Sequence, residues 1–442
     1  MKKRILIIVF ATVWLTAFSQ QAFTIDDAWK YAVEHNVNVQ KAKIDQTIAA
    51  QKVKETTGIG LPQVDIQGTY NYFLNVPVQL LPAEIVGGEP GTYVPVQFGQ
   101  KQSASGGVTL SQLLFNGSYL VGLQAAKAYR ETAALVEEKT ELSVKEGILL
   151  AYTGVLVTGE NIKTLEENRK VAEKALSDTK KTYEIGVIEL QNVEQQEYSY
   201  KSLVANLDNL ERTEQKLLMA LKYLMGHPLD QSITLTSTLD ELVKRNEQLF
   251  TIETAQDVSD HIDYRLSRNA VTLSELKLKL EKSRYLPTLA GFLNSSYSGN
   301  SNKFTFFRQE QEWFNTSLLG LQLDVPVFNG FQRKWKTEQA KLDLKKAQLD
   351  LEDTERTLKN RTYQASLDYE NAYNSYRNAQ ELIVLSSSIY SKQQIKFREG
   401  MGTSFELQQA ETQLYGAQAQ YYQAALSLIQ AKTKLNEALG NL

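Results

Sequence analysis

The stretch Leu319-Gly320-Leu321-Gln322-Leu323-Asp324-Val325-Pro326-Val327-Phe328-Asn329-Gly330 decides how this chain folds. Leu319, Leu321, Leu323 and Val325 alternate with Gly320, Gln322 and Asp324. A period of two with one apolar and one polar face reads as a strand that separates two media. Pro326 stops the run, and no Pro occurs between residues 330 and 400. That Pro-free stretch would measure roughly 100 Å as a helix. A strand therefore leads directly into one very long helix.

The same passage occurs once before. Phe115-Asn116-Gly117 precedes Phe328-Asn329-Gly330 by 213 residues, and Val108 and Leu110 alternate with Thr109 and Ser111 ahead of it. Gly186, three residues after Tyr183, recurs 214 residues later as Gly400, three after Phe397. Gly226 recurs as Gly440 at the same offset, and Leu61-Pro62 recurs as Leu286-Pro287 at 225. Four landmarks in one order indicate an internal duplication. Each half reads as helix, two strands, long helix, helix. The first repeat is placed at residues 20–226, with strands at about 63–78 and 100–115. A linker follows at 227–253, then the second repeat at 254–442, with strands at about 288–298 and 312–327. The opening helix is expected to run unbroken from Thr24, with Asp27 in a capping-box variant, to about Thr57. Its counterpart is expected between about 256 and 285. Residues 80–99, with Pro82, Gly87, Gly88, Pro90, Gly91 and Pro95, read as a surface loop. In strand 288–298, Ala290 and Phe292 fall on the wrong face.

Val144, Ile148, Tyr152, Val155, Gly159 and Ile162 step by three and four, a coiled-coil seam. Leu203, Leu207, Leu210, Leu217, Leu221 and Leu224 continue it in the next helix. Their second-half counterparts are Ala417, Tyr421, Ala424, Ala431, Leu435 and Ala438. Such helices need lengthwise neighbours. Aromatic residues crowd the strand ends, among them Tyr70, Tyr72, Phe304, Phe306, Phe307 and Trp313. They read either as core or as a girdle at a membrane interface.

Composition narrows the function. The chain has 442 residues, 48 Lys+Arg against 51 Asp+Glu, and no Cys. A mean hydropathy of −0.34 excludes a multi-span helical membrane protein. The near-neutral balance gives no case for nucleic acid. Without Cys there is no disulfide, thiolate metal site or lipid-bearing N-terminal Cys. His35, His227 and His261 have no ligand spacing, and no phosphate loop or Ser/His/Asp constellation is visible. No enzyme, cofactor or metal is expected. At the N-terminus, Lys2, Lys3 and Arg4 precede an uncharged run at residues 5–18, with Ala17 and Ser19 at a small-residue cleavage site. This reads as a secretory signal peptide, residues 1–19. Removing its three positive charges takes the formal net charge from −3 to −6. No later stretch is expected to span a membrane as a helix. The mature protein is then either held in a membrane by strands or is a soluble periplasmic coiled-coil scaffold or adaptor.

Four strands per chain cannot close a barrel, and an open edge is not viable in lipid. Three chains would supply twelve strands and a matching tube of helices. The doubled pattern of Leu-Pro, alternating strand, Phe-Asn-Gly, long helix and aromatic-x-x-Gly turn resembles the TolC-like outer-membrane efflux proteins. The resemblance covers nearly all of the mature chain. It implies a mainly α fold with a small β portion: a trimeric twelve-stranded outer-membrane β-barrel continued by a long periplasmic α-helical barrel. It also implies an export channel for drugs, metals or proteins that docks a periplasmic adaptor and an inner-membrane transporter; type I protein secretion is the alternative to drug efflux. With no lipid anchor, attachment to outer-membrane lipid would rest on the barrel, with Leu319, Leu321, Leu323 and Val325 facing lipid. The turns at Gly186-Val187 and Gly400-Met401 would meet the adaptor. Glu406, Asn192 and Gln409 would lie at the periplasmic entrance. The family's pattern has Pro two residues before the Phe of Phe-Asn-Gly; Pro326 fits, and Leu113 does not. Best-known relatives have Asp where Asn192, Glu406 and Gln409 stand and Arg where Gly402 stands, so their full set of gating salt bridges does not carry over.

Overall fold

The structure, a computed structural model, describes residues 21–247 and 257–442. The expected signal peptide and residues 248–253 of the expected linker lie outside the described residues. In chain order the first elements are β1 (Gln21–Phe23), α1 (Ile25–His35), α2 (Val37–Gly58), β2 (Gln63–Tyr72), β3 (Val78–Pro82), β4 (Tyr93–Gln97) and β5 (Gln102–Asn116). Next come α3 (Gly117–Glu184), α4 (Leu190–Met225), β6 (Ile233–Leu235), α5 (Leu239–Asn246) and α6 (Ile262–Ser283). The last are β7 (Thr288–Ser301), β8 (Phe314–Asp324), α7 (Gln332–Arg398) and α8 (Ser404–Ala438). Two compact units share these elements, one of residues 45–135 and 266–353, the other of residues up to 44, 136–265 and 354–442.

The first unit holds an antiparallel sheet in the order β2-β5-β7-β8. Its register sorts the alternating residues into rows. Val64, Leu110, Leu293 and Leu319 pair across all four strands. The next row is Asp65, Thr109, Asn294 and Leu318, in which the Asn294 amide donates to Thr109 Oγ1 at 2.8 Å. Cross-strand neighbours share a face, so one face is apolar and the other mostly polar. Phe292 pairs with Gly320 on the polar face, and its ring covers the place a Gly320 side chain would take. That explains its breach of the alternation: a large ring opposite a glycine fills the gap. β2 and β8 are the edges, with no further strand on either among the described residues.

Several boundaries differ from the sequence expectation. β2 ends at Tyr72 rather than near 78, before the segment carrying Pro77. Residues 80–99 are not an irregular loop: β3 and β4 pair as an antiparallel hairpin, with a short 3-10 helix at Ala83–Val86 between them. β8 ends at Asp324. Val325 therefore lies beyond the ladder, because the next residue, Pro326, has no N–H to donate. Phe306, only 7 % exposed, packs against Tyr70, Phe304 and Trp313, whereas Phe307 and Phe314 are exposed. Phe306 is thus the buried member of a cluster whose other rings, Tyr70, Phe304 and Trp313, stay exposed.

Each Phe-Asn-Gly starts a helix, by different means. Asn116 accepts a hydrogen bond from the Tyr119 N–H at 2.9 Å, the bond of an N-cap. In the second copy Gly330 and Phe331 both have positive φ, 63° and 61°. A non-glycine residue there costs about 1–2 kcal/mol. Arg333 braces that junction by donating to Pro326 O at 2.8 Å.

The second unit is built on the long helices. The seam positions Val144, Ile148, Tyr152 and Val155 of α3, Leu203, Leu207 and Leu221 of α4, and Ala417, Ala424, Leu435 and Ala438 of α8 are all buried. α3 also contains one 18-residue window with mean hydropathy 1.2, apolar enough by length and composition to cross a membrane. This corrects the expectation of no later candidate. Ile148, Tyr152 and Val155 of the same helix are buried in this unit's own core. The Tyr152 hydroxyl donates to Phe23 O at 2.8 Å and accepts from the Ser237 N–H at 3.1 Å. It thereby ties together the two segments that form the parallel β1–β6 ladder. The described part of the expected linker, residues 227–247, contributes β6 and α5. The opening helix is broken at Asn36, whose backbone is extended (ψ 126°).

Candidate functional site: the helix-hairpin tips and the sheet face

The turn after α3 closes by two bonds: Gly186 N–H to Tyr183 O at 2.8 Å and Val187 N–H to Thr182 O at 3.2 Å. The turn after α7 repeats them, with Gly400 to Phe397 O at 3.1 Å and Met401 to Lys396 O at 2.8 Å. This is the Schellman end of a helix, which needs a left-handed residue at the glycine. Gly186 and Gly400 supply it with φ of 79° and 73°. A side chain at either would meet nothing within 4 Å. Ile185, Val187 and Leu190 are exposed at the first tip, and Met401 and Phe405 at the second. Each tip therefore offers water a small apolar surface beside a bare glycine turn.

Glu406 is exposed, and its carboxylate is already engaged. It accepts from the Thr403 N–H at 3.0 Å and the Gln393 side-chain amide at 2.9 Å, while the Thr403 hydroxyl accepts from the Glu406 N–H at 3.2 Å. This is a capping box at the start of α8. The Thr403 backbone bond, with help from the Thr403 and Gln393 side chains and nearby Lys396, holds the carboxyl below its ordinary value. The Arg of the best-known relatives has no counterpart here, because Gly402 stands in its place. Gln393 of α7 bonds Glu406 instead, and it also lies against the space a Gly402 side chain would need. Asn192 does not meet Glu406. Its side-chain amide meets the Ser404 hydroxyl, which also bonds Gln195 at 2.7 Å, linking the first turns of α4 and α8. Gln409 is exposed on α8, three residues beyond Glu406.

The most perturbed acid is Glu411, which by sequence reads as one more solvated helix-face carboxylate near Glu406. Glu411 is 2 % exposed and its Oε2 has no hydrogen-bond partner. It lies in a cleft of about 550 Å³ lined by residues of α3, α4 and α8, including Asn161, Ser199, Asn206 and Tyr415. Burial pushes its carboxyl up to about 7, against a smaller opposing effect of the Ser199 hydrogen bond. The signal was present: residue 411 lies on the buried seam beside Leu407, Ala410 and Leu414. The folded protein holds this proton more tightly than the unfolded chain, so stability falls as pH rises through the interval from about 4.5 to 7. Glu411→Gln should stabilise the protein by about 3 kcal/mol above pH 7 and by nothing below pH 4. Melting temperatures of both proteins across that range check it.

On β8, Leu319, Leu321 and Leu323 are exposed on the apolar face, and Val325 is exposed beyond the strand end. Gln322 and Asp324 occupy the other face and bond each other at 3.1 Å.

The chain matches the family described as outer membrane efflux protein over residues 30–227 and 267–441. It is 21 % identical to the outer membrane protein TolC of Vibrio cholerae serotype O1, over 100 % of this chain and 96 % of that protein. It is 20 % identical to the alkaline protease secretion protein AprF of Pseudomonas aeruginosa, over 69 % of this chain and 62 % of that one. The crystal structure of the Campylobacter jejuni CmeC outer membrane channel shares the fold, with a TM-score of 0.74, 16 % identity, and coverage of 94 % of this chain and 85 % of that one. The chain belongs to the outer membrane efflux protein family and is an outer-membrane export channel with a large periplasmic part.

Proposed function

We propose that three copies of this chain assemble into a channel-tunnel that carries drugs, metals or proteins outward. The substrates come from an inner-membrane transporter through a periplasmic adaptor. The observation that carries this reading is the four-stranded sheet whose edges, β2 and β8, have no partner strand among the described residues. Both edges need partners in lipid, and joining β8 of one copy to β2 of the next closes twelve strands. The chain divides into two repeats, residues 20–226 and 254–442, and the glycine turns of both are the adaptor-docking tips. Type I protein secretion is the second reading, supported by the likeness to AprF. Mass measurement of the detergent-extracted protein should give three chains. A monomer with full strand content would overturn the assembly.

Glu406, with Gln409 three residues on and Asn192 at the start of α4, lines the tunnel entrance in this reading. A carboxyl held below its ordinary value stays charged at neutral pH, and three of them would favour cations. Glu406→Gln keeps the capping box, since Gln serves at that position, and removes only the charge. Cation selectivity in planar bilayers should fall. Unchanged selectivity would leave Glu406 as a helix cap alone.

A further inference from the structure

The break at Asn36 and the start of α6 at His261 are the same feature made twice. The two residues are 225 apart, the offset of the Leu-Pro pair. Each is buried, 5 % and 4 % exposed, and each immediately precedes its helix. Asn36 Oδ1 accepts from the Asn38 N–H at 2.8 Å, and its amide donates to Leu224 O near the end of α4 at 2.6 Å. His261 Nδ1 accepts from the Asp263 N–H at 3.1 Å, and its Nε2 lies 3.1 Å from Glu437 O near the end of α8. Gly226 and Gly440, both at φ 72°, lie beside these residues: a side chain on the first would strike the His35–Asn36 backbone, and one on the second would sit in ordinary contact with His261. One side chain in each copy thus caps the incoming helix and holds the end of the outgoing one.

The two pins differ in one chemical property. An amide keeps its acceptor oxygen at every pH. The imidazole can accept from the Asp263 N–H only while Nδ1 carries no proton, and a carbonyl at Nε2 requires a proton there. Together these partners fix the neutral Nε2–H tautomer. Protonation of Nδ1 turns the acceptor into a donor facing a donor. The bonded state therefore binds fewer protons than the released one, and it weakens as pH falls.

His261 lines a cleft of about 270 Å³ with Glu138, Lys139 and Glu146 of α3, Asp260, Asp263, Arg361 and Glu437. Lys139 pairs with Asp263 at 2.6 Å, Arg265 with Glu138 at 2.6 Å and Arg361 with Glu437 at 2.7 Å. Of the groups without such a pair, Glu146 and Asp260 are acidic, and Lys434 of α8 acts on Glu146.

We propose that residues 36 and 261 are matched positioning pins, and that acid releases the α6–α8 junction through His261 while leaving the α2–α4 junction held by Asn36. The inference concerns a single chain and does not depend on the assembly proposed above.

Hydrogen–deuterium exchange of the full-length protein in detergent tests it, with the intrinsic pH dependence of exchange removed. Imidazoles ordinarily titrate between about pH 5 and 8. Across that range the Asp263 amide should lose protection about tenfold relative to the Asn38 amide, the equivalent of losing a helix cap. His261→Asn should abolish the difference, and Asn36→His should transfer the acid sensitivity to Asn38. Equal pH dependence at the two amides in the natural protein would overturn the proposal, and so would persistence of the difference in His261→Asn. If His261→Asn does not fold, the comparison within the natural protein and the Asn36→His variant still decide it.

Discussion

Leu321→Arg should prevent the channel from assembling in the outer membrane, whereas Gln322→Arg should be tolerated. The two residues are neighbours on β8 and are both exposed in the single chain, so burial does not separate them. Register does. Leu321 shares its face with Leu319, Leu323 and, one strand away, Leu289 and Leu293. Gln322 shares the opposite face with Asp324 and Ala290. In the proposed barrel the first face meets lipid and the second meets water. An Arg near the bilayer midplane costs about 2–4 kcal/mol, and in a three-fold assembly that cost is repeated in every chain. An Arg on the water side keeps its hydration. Heat-resistant trimer recovered from outer membranes measures both. Equal loss in the two variants would mean that the faces are assigned the wrong way or that β8 is not in lipid.

The parts of the molecule legible in the sequence are those governed by period and punctuation. The alternation of Leu319 to Leu323 follows from a sheet with one apolar and one polar face, and the steps of three and four at Val144 to Val155 and at Leu203 to Leu221 follow from one buried helix face. What was not legible depends on contacts distant in sequence. The break at Asn36 has a helical sequence on both sides. It is made by Leu224 and Gly226, nearly 190 residues away. The β1–β6 ladder joins three-residue segments that no periodicity can reveal, and Tyr152 of a third segment ties them. At the tips, spacing alone placed Gly186, Gly400 and Glu406. It could not show that Gln393 would reach Glu406, or that Asn192 would meet Ser404 instead. Glu411 was hidden for another reason. A carboxylate on a helix is ordinarily solvated, and only its coincidence with the seam marks it as buried.

Gly186→Leu and Gly400→Leu should each abolish export while leaving the assembled channel in the membrane. Both glycines hold φ near 75° in a closed Schellman turn. A side chain there costs about 1–2 kcal/mol of backbone strain. It meets no neighbouring atom, so the cost stops there and the long helices stay packed. What changes is the surface. Each turn lies among exposed apolar residues, Ile185, Val187 and Leu190 at one tip and Met401 and Phe405 at the other. A partner helix seated on that patch would approach the bare glycine backbone, and a branched side chain would hold it off. Gly186→Ala and Gly400→Ala separate the two effects, since alanine bears the same backbone strain with far less bulk. The alanine variants should retain export and the leucine variants should lose it, as read in cells by substrate susceptibility beside the amount of assembled channel. If both leucine variants export normally, the glycine turns only end helices, and the docking surface must lie elsewhere on the periplasmic part.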